Sequence, residues 1–391
     1  MSDRRNFLKK SLAGSVIAGA GIASPNIMTR EAFAQATKKK YDIKYRTLGS
    51  TGYKVSEIGF GAMNTRDPEL IHAAIDAGIN YLDTAHGYMN GVNEEIIGGI
   101  MKTKRDKVFL VTKIRVRNVE DVPSMIETSL KRLKTDHVDL LLVHVTSKRE
   151  QILEPNQMKK FEDARKKGQT RFIGVSTHSN QAEVLDAAVE SKLWEAVLVG
   201  YNYLSPKPIT DSINKARKAG LAIIGMKNIL NPNTNPWTEI DDFRKDNKGN
   251  MTSQQALIRW ALDNPNMDTT IPGMTSFEHL ADDLAIMNMK LTQDDKIMLR
   301  RYAENIKGRY CLGVAGCTEC DGQCPNGVAV NDINRCLGYA NGYKDIELAR
   351  ENYEVLEKNL AACNDCSECV VKCVNGNRIS EKIAMAKELF A

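Results

Sequence analysis

Asp83, Tyr88, Lys113 and His144 combine a carboxylate, a phenol, an ammonium group and an imidazole at a spacing that can bring them together. Asp83 and Tyr88 lie in Tyr81-Leu82-Asp83-Thr84-Ala85-His86-Gly87-Tyr88. Lys113 closes the apolar run Val108-Phe109-Leu110-Val111-Thr112, and His144 closes Val138-Asp139-Leu140-Leu141-Leu142-Val143. The steps from Tyr88 to Lys113 and from Lys113 to His144 each fit one βα unit of about 30 residues, so consecutive parallel strands would deliver all four to one rim. The implied chemistry is proton transfer. A tyrosine holds its proton up to a pKa near ~10, and an adjacent cation favours the phenolate. Asp83 would hold Lys113 in place, Lys113 would ease departure of the Tyr88 proton, and His144 would hydrogen-bond and orient a substrate. Singly, such an aspartate reads as a helix cap, such a lysine as solvated and such a histidine as core. Their recurrence at matching strand ends argues for a site.

The surrounding pattern supplies the scaffold. Tyr45–Leu48 and Tyr53–Val55 flank Ser50-Thr51-Gly52 and read as a hairpin. Strands are expected at Glu57–Gly61, Tyr81–Asp83, Val108–Lys113, Val138–His144, Arg171–Ser176, Ala196–Gly200, Leu221–Met226 and Thr269–Ile271, each followed by a helical pattern. Val119–Lys134, for example, places Val122, Met125, Ile126, Leu130 and Leu133 at helical spacing. Eight strands with eight helices imply an α/β fold, a (β/α)8 TIM barrel over residues 42–290. Several strands are near-continuous apolar runs, as burial on both faces requires. The alternative, a doubly wound open sheet, would carry Gly-x-Gly-x-x-Gly after an early strand. The nearest segment, Gly59-Phe60-Gly61-Ala62-Met63-Asn64, lacks the third glycine.

The 391 residues suffice for this domain plus a smaller one, here 291–391, and 42% hydrophobic with 26% charged residues is ordinary for a globular chain. The net charge of +5 belongs partly to residues 1–34, and the remainder carries +2, too weak a bias for nucleic acid or an anionic membrane. Asp3-Arg4-Arg5-Asn6-Phe7-Leu8-Lys9 resembles a twin-arginine export signal, followed by the small-residue-rich Ser11–Ala23 and a small-x-small site at Ala32-Phe33-Ala34. The apolar stretch is too short and glycine-rich to span ~30 Å of hydrocarbon. The expected mature chain is therefore periplasmic, with no transmembrane span.

The segment Asp83-Thr84-Ala85-His86-Gly87-Tyr88, Thr112-Lys113 and the leucine-rich strand ending in His144 resemble the aldo-keto reductase superfamily. So do Gly174-Val175-Ser176, Tyr201-Asn202 and Ile271-Pro272-Gly273-Met274, and the resemblance covers roughly Tyr45 to Asn288. It implies that a nicotinamide, NADP or NAD, gives hydride to a small-molecule carbonyl (or takes it from the alcohol) while Tyr88 protonates the oxygen. In that reading Lys113 and Asp83 tune the tyrosine and His144 orients the substrate. The resemblance also assigns Ser176 to the nicotinamide carboxamide, Lys227 to a phosphate and Asp282 to the adenine side. Elsewhere the dinucleotide clamp departs from the family. Thr177, Leu198, Met226, Gly273 and His279 stand where an asparagine, a glutamine, an aromatic, a lysine and an arginine are common. His86 and His178 flank the site without an assigned role, and His72 and His137 read as structural.

All nine cysteines lie between Cys311 and Cys373. Cys363-x2-Cys366-x2-Cys369-x3-Cys373 has bacterial iron–sulfur spacing, and Cys311-x5-Cys317-x2-Cys320-x3-Cys324-Pro325 keeps all but the first gap. Eight cysteines suit two four-iron clusters. Zinc competes, although zinc sites usually pair two Cys-x2-Cys knuckles across a longer gap. Cys336 is left over. Helical patterns at Asp332–Tyr343, Asp345–Leu360 and Ser380–Phe390 make this an α-helical ferredoxin-like unit, an extension that some exported aldo-keto reductase relatives carry. The expectation is an exported oxidoreductase coupled to iron–sulfur electron transfer, with a possible redox partner protein. The other reading is an iron–sulfur or complex-forming subunit with a vestigial barrel.

Overall fold

The computed structural model describes residues 41–229, 249–306, 308, 311–343, 345–354, 356, 359–363 and 368–390. The twin-arginine segment, Cys366 and most of the loop 228–246 lie outside the described residues.

The chain opens with the hairpin β1 (Tyr45–Thr47) and β2 (Lys54–Ser56), paired antiparallel. Eight parallel strands follow in chain order: β3 (Phe60–Gly61), β4 (Tyr81–Asp83), β5 (Phe109–Ile114), β6 (Val138–Thr146), β7 (Thr170–Thr177), β8 (Ala196–Gly200), β9 (Ala222–Met226) and β10 (Thr269–Thr270). Each strand pairs with its chain neighbour, so the sheet order is the sequence order. The two edges then meet. Ile58 bridges Thr270, Gly61 bridges Gly273, and the Gly59 N–H donates to the Thr270 carbonyl at 2.7 Å. The expected first strand, Glu57–Gly61, is thus regular only at its last two residues.

The helices on the outer face are α1 (Pro68–Asp76), α2 (Val92–Lys104), α3 (Val122–Leu133), α4 (Pro155–Lys166), α5 (Gln181–Ser191), α6 (Lys207–Lys218), α7 (Ser253–Leu262) and α8 (Phe277–Ile286). Local chemistry sets their starts. Asp67 accepts from the Glu69 N–H ahead of Pro68, Thr252 and Gln255 form a reciprocal cap, and Ser276 accepts from the His279 N–H.

Two apolar layers hold the barrel. Between strands and helices pack Leu82, Leu110, Leu141, Val175 and Val197 with Ile97, Ile126, Phe161, Val184 and Ile213. Inside it stack Tyr81, Phe109, Val111, Leu140, Leu142, Leu198, Ile224 and Met226, joined by Leu48 and Val55 of the hairpin segment. The hairpin therefore plugs the end of the barrel opposite the rim where Asp83, Lys113 and His144 emerge. Gly49 makes that plug possible. Its φ is +51°, its N–H reaches the Asp268 carboxylate at 2.9 Å, and a Cβ there would lie 2.4 Å from the Ala222 nitrogen.

Beyond the barrel, α9 (Gln293–Ile306) lays Met298, Leu299 and Tyr302 against Ala256 and Leu257 of α7. Then come α10 (Val330–Leu337), α11 (Ile346–Glu354) and α12 (Ile379–Phe390), with a wide helical turn at Gly338–Gly342. Ile333, Leu337, Tyr353, Leu360, Ile379 and Ile383 form their shared core. This module rests on the barrel. Met63 packs among Tyr339, Tyr343 and Leu348, and Gly316, at φ +101°, comes so close that a Cβ would meet Ile209 Cδ1 at 2.4 Å. No helix among the described residues is long and apolar enough to cross a membrane.

Candidate active site

Strand ends deliver the four side chains to one place. Asp83 is the last residue of β4, Lys113 stands one before the end of β5, and His144 stands two before the end of β6. Tyr88 follows β4 on a tight turn in which Met89, Asn90 and Gly91 all take positive φ. Thr84 Oγ1 donates to Asn93 Oδ1 at 2.6 Å, and Asn93 Nδ2 donates to the Ala62 carbonyl at 2.8 Å, fixing that turn to the start of α2. His144 is aimed by a bulge. The β6–β7 register shifts between Val143 and Thr146, and Val145 carries φ +59°, an unusual conformation for a β-branched residue. The Val145 N–H donates to Ser176 Oγ at 3.1 Å, which pins the bulge to β7.

Lys113 lies at the centre. Its ammonium donates to Asp83 Oδ1 at 2.5 Å, to the Thr84 carbonyl at 2.6 Å and to the Tyr88 hydroxyl at 3.2 Å. Its side chain is 1% exposed and that of Asp83 2%. The His144 ring meets the Tyr88 ring edge-on at 5.7 Å, and the His178 ring lies 6.2 Å beyond His144.

Burial shifts every protonation equilibrium towards the neutral form. It raises the Asp83 carboxyl and lowers the Lys113 amine, each offset in part by the other's charge. It drives His144 well below the usual imidazole range, reinforced by the cations Lys113, Arg115, Arg335 and Lys227. His144 is therefore a neutral hydrogen-bonding group. Tyr88 corrects the expectation drawn from Lys113. Burial, then the Asp83 carboxylate, then Tyr343 raise the phenol well above its ordinary value. Burial outweighs the neighbouring Lys113 cation, whose charge Asp83 partly balances. Tyr88 holds its proton throughout the physiological range, the resting state of an acid.

The residues carried over for a dinucleotide are more dispersed. Ser176 is fully buried, its hydroxyl occupied by the Val145 N–H. Lys227 follows β9 with φ +56°, its ammonium 3.0 Å from the Tyr343 hydroxyl and 4.8 and 4.9 Å from the Tyr339 and Tyr343 ring centres. Asp282 is on α8, its carbonyl accepting from Gln255 Nε2 at 3.0 Å. His86 turns away, its Nδ1 3.0 Å from the Ser129 hydroxyl, and His137 pairs with Asp136 at 2.6 Å.

Three residues that the sequence did not single out reach this rim from the C-terminal module. These are Arg335 of α10, held by Asp332 at 2.6 Å, Tyr339 of the turn that follows, and Tyr343 directly after that turn. Burial pushes the Tyr343 phenol up to about 12, so it stays a neutral partner for Lys227. Their i, i+4, i+8 spacing is a helical stripe, but nothing in the sequence says that the stripe faces a barrel mouth.

The cysteines gather in the module. One small cavity, open in part to solvent, is lined by Cys311, Cys317, Cys320 and Cys373 with Asn331, Asn375 and Asn377. Cys373, the last cysteine of its run, thus joins three from the other run. Asn377 Nδ2 donates to Cys373 Sγ at 3.5 Å and Asn375 Nδ2 to Cys317 Sγ at 3.9 Å. Burial raises the Cys311 thiol, and burial with Asp321 raises Cys320 to about 12. Cys324, Cys363 and Cys369 pack beside the module's apolar core. Cys366 lies outside the described residues, and among the described residues no group of three potential ligands is drawn close enough to hold a metal ion. Cys336 is a buried free thiol raised by burial to about 11.

Fold and site together define a parallel α/β barrel with a lysine-centred acid–base cluster at the carboxyl rim of its strands, where barrel enzymes place their chemistry. Residues 57–239 match the family described as the Aldo/keto reductase family. The chain is 22% identical over 299 residues to the uncharacterized oxidoreductase YqkF of Bacillus subtilis, covering 65% of this chain and 94% of that one. It superposes on the aldo-keto reductase AKR11C1 of Bacillus halodurans with a TM-score of 0.56 at 21% identity, covering 66% and 96% of the two chains. A reductase from Klebsiella pneumoniae, solved with NADP and acetate, gives 0.55 at 22%, covering 66% and 95%. Residues 57–239 of the barrel thus match an aldo/keto reductase family domain, and the fold is that of the aldo-keto reductases on which it superposes.

Proposed function

We propose that the protein reduces a small-molecule carbonyl, or oxidises the corresponding alcohol, with Tyr88 as proton donor, and that the C-terminal module couples this reaction to iron–sulfur electron transfer. The observation that carries the reading is the Lys113 ammonium, 3.2 Å from the Tyr88 hydroxyl and 2.5 Å from Asp83. Tyr88 enters protonated and gives its proton to the carbonyl oxygen. Lys113 faces the phenolate that remains and stabilises it as the charge develops. Neutral His144 donates a hydrogen bond to the same oxygen and sets its orientation.

When bound, NADP or NAD supplies the hydride and four-iron clusters supply single electrons. A Cβ at Gly273 would meet nothing within 4 Å, so the rim beyond β10 leaves room for an extended cofactor. Ser176 would lie on its nicotinamide side, with Asp282 towards the adenine. The donor set of the module suits a cluster. Four thiols line one cavity, and the Lys382 ammonium is buried beside Cys311 and Cys373 without a hydrogen-bond partner, a cation suited to thiolate ligands. Cys324, Cys363, Cys366 and Cys369 would form the second set. Residues 1–34 would direct the loaded protein to the periplasm by the twin-arginine route, leaving domains at 42–290 and 291–391 and a redox partner protein outside.

Anaerobic purification followed by visible and paramagnetic resonance spectra, with and without NADPH, tests the whole reading. Bleaching of a cluster band by NADPH supports it, and Tyr88→Phe should abolish turnover with the iron content intact. A second reading, an electron-transfer subunit with a vestigial barrel, is favoured by one observation, the hold of Tyr343 and Tyr339 on Lys227. Reducible clusters without nicotinamide binding or carbonyl turnover would decide for it.

A further inference from the structure

Among the described residues, the barrel rim carries more positive charge than it balances. Lys113 is matched by Asp83, and Arg335 by Asp332. Arg115, two residues beyond Lys113 on the same rim, has no carboxylate within ion-pairing distance among the described residues, and neither has Lys227. The partners of Lys227 are neutral, one hydroxyl and two ring faces. The imidazoles beside these cations cannot offset them. Arg335, 8% exposed at its side chain, turns inward, while its partner Asp332 is 40% exposed. His178, 8% exposed and next to His144, has its Nδ1 buried without a hydrogen-bond partner. Unbalanced half-buried charge and an unpaired buried nitrogen both carry a cost, and one bound anion relieves both.

We propose that the C-terminal module completes the substrate pocket of the barrel and selects a carbonyl compound bearing an anionic group, which Arg335 of α10 and Arg115 and Lys227 of the rim hold beside the Tyr88 hydroxyl. The proposal rests on the carbonyl chemistry argued above. It places the charge on the substrate because these cations are near enough to act on His144, whose ring meets that of Tyr88 edge-on at 5.7 Å. The phosphates of a dinucleotide lie a ribose away from the nicotinamide carbon. The source of Arg335 gives the module a role besides carrying clusters, since an isolated barrel would lack that guanidinium and the two tyrosines that seat Lys227. Arginine presents a planar pair of donors suited to a carboxylate or phosphate, and Lys227 adds a point charge.

The test uses the full-length protein with its metal. Turnover is compared for phenylglyoxylate and its neutral methyl ester, and binding of benzoate, inorganic phosphate and 2′,5′-ADP is measured by calorimetry. The parent should prefer the acid, and Arg335→Gln should lower the acid-to-ester ratio of kcat/KM about ten-fold or more, the loss of one charge-assisted hydrogen bond. Benzoate or phosphate affinity should fall in parallel, and the tighter of the two names the anion. Arg115→Met, a change at a residue without an ion pair, repeats the test if Arg335→Gln does not fold. An ester preferred by the parent, or a ratio unmoved by both variants, overturns the proposal. So does a loss of 2′,5′-ADP binding with benzoate and phosphate unaffected, which makes the cations a cofactor-phosphate site. If neither carbonyl turns over yet benzoate binds and the variants weaken it, the anion pocket stands and the carbonyl reading falls.

Discussion

Lys113→Met probes the pair on which the site is built. At 2.5 Å and an effective dielectric constant of about 20, the Lys113–Asp83 attraction is about 7 kcal/mol. Burial opposes it, raising the carboxyl and lowering the amine, so the pair as a whole adds little net stability. Removing one partner is different. Methionine leaves Asp83 buried without its cation and the Thr84 carbonyl without its donor, and the expected loss is about 3–5 kcal/mol at neutral pH. The deficit should shrink in acid. The orphaned carboxyl titrates still higher in the folded state, so the folded variant binds a proton that the unfolded chain releases above about pH 4. Lys113→Met/Asp83→Leu should recover most of the stability while activity stays about 10²–10⁴-fold down, because the phenolate of Tyr88 has lost its cation. The assay is urea unfolding followed by circular dichroism, beside carbonyl turnover on the same preparations. A single variant that unfolds at the parent's urea concentration, or a double variant no more stable than the single, would refute the buried-pair argument.

The pH profile of kcat/KM should be flat across the ordinary imidazole range and show its alkaline limb above 10, since His144 is held neutral and Tyr88 protonated; a limb near 6.5 that vanishes in His144→Ala would contradict this. On the proposed two-cluster assignment, Cys373→Ser should remove roughly half of the iron and acid-labile sulfide, as should Cys317→Ser, because both line one cavity; full iron in either variant counts against a shared cluster. Asp283 on α8 is buried and its carboxyl raised well above the usual range by burial and by Asp282. The folded chain therefore holds that proton above the unfolded pKa, and its stability falls as pH rises through the window. Asp283→Asn should flatten that fall in melting experiments from about pH 4 upward, and parallel melting curves for parent and variant would count against it.

Much of this was legible in the sequence because it is local or periodic. Apolar runs of strand length alternating with helical patterns specify a parallel α/β layout, and the strand-end positions of Asp83, Lys113 and His144 followed from it. The direction of the Tyr88 shift was not legible. The sequence pairs Asp83 with a Lys113 near the phenol, but it does not show that the phenol is buried or that burial outweighs the cation. The bulge at Val145 was equally hidden, since a valine gives no hint of positive φ and only the Ser176 hydroxyl across the strand makes that conformation affordable.

The chain by itself determined which groups emerge at one rim and which cysteines recur at cluster spacing, since side-chain periodicity and element length are properties of neighbouring residues. Only the tertiary structure decided what lies over that rim. Arg335, Tyr339 and Tyr343 are more than 100 positions from Lys227 and well over 200 from Tyr88, and no local rule joins them. Their meeting with Lys227, like that of Cys373 with Cys311, depends on two apolar surfaces packing in one orientation, a choice made by the shape of the whole molecule.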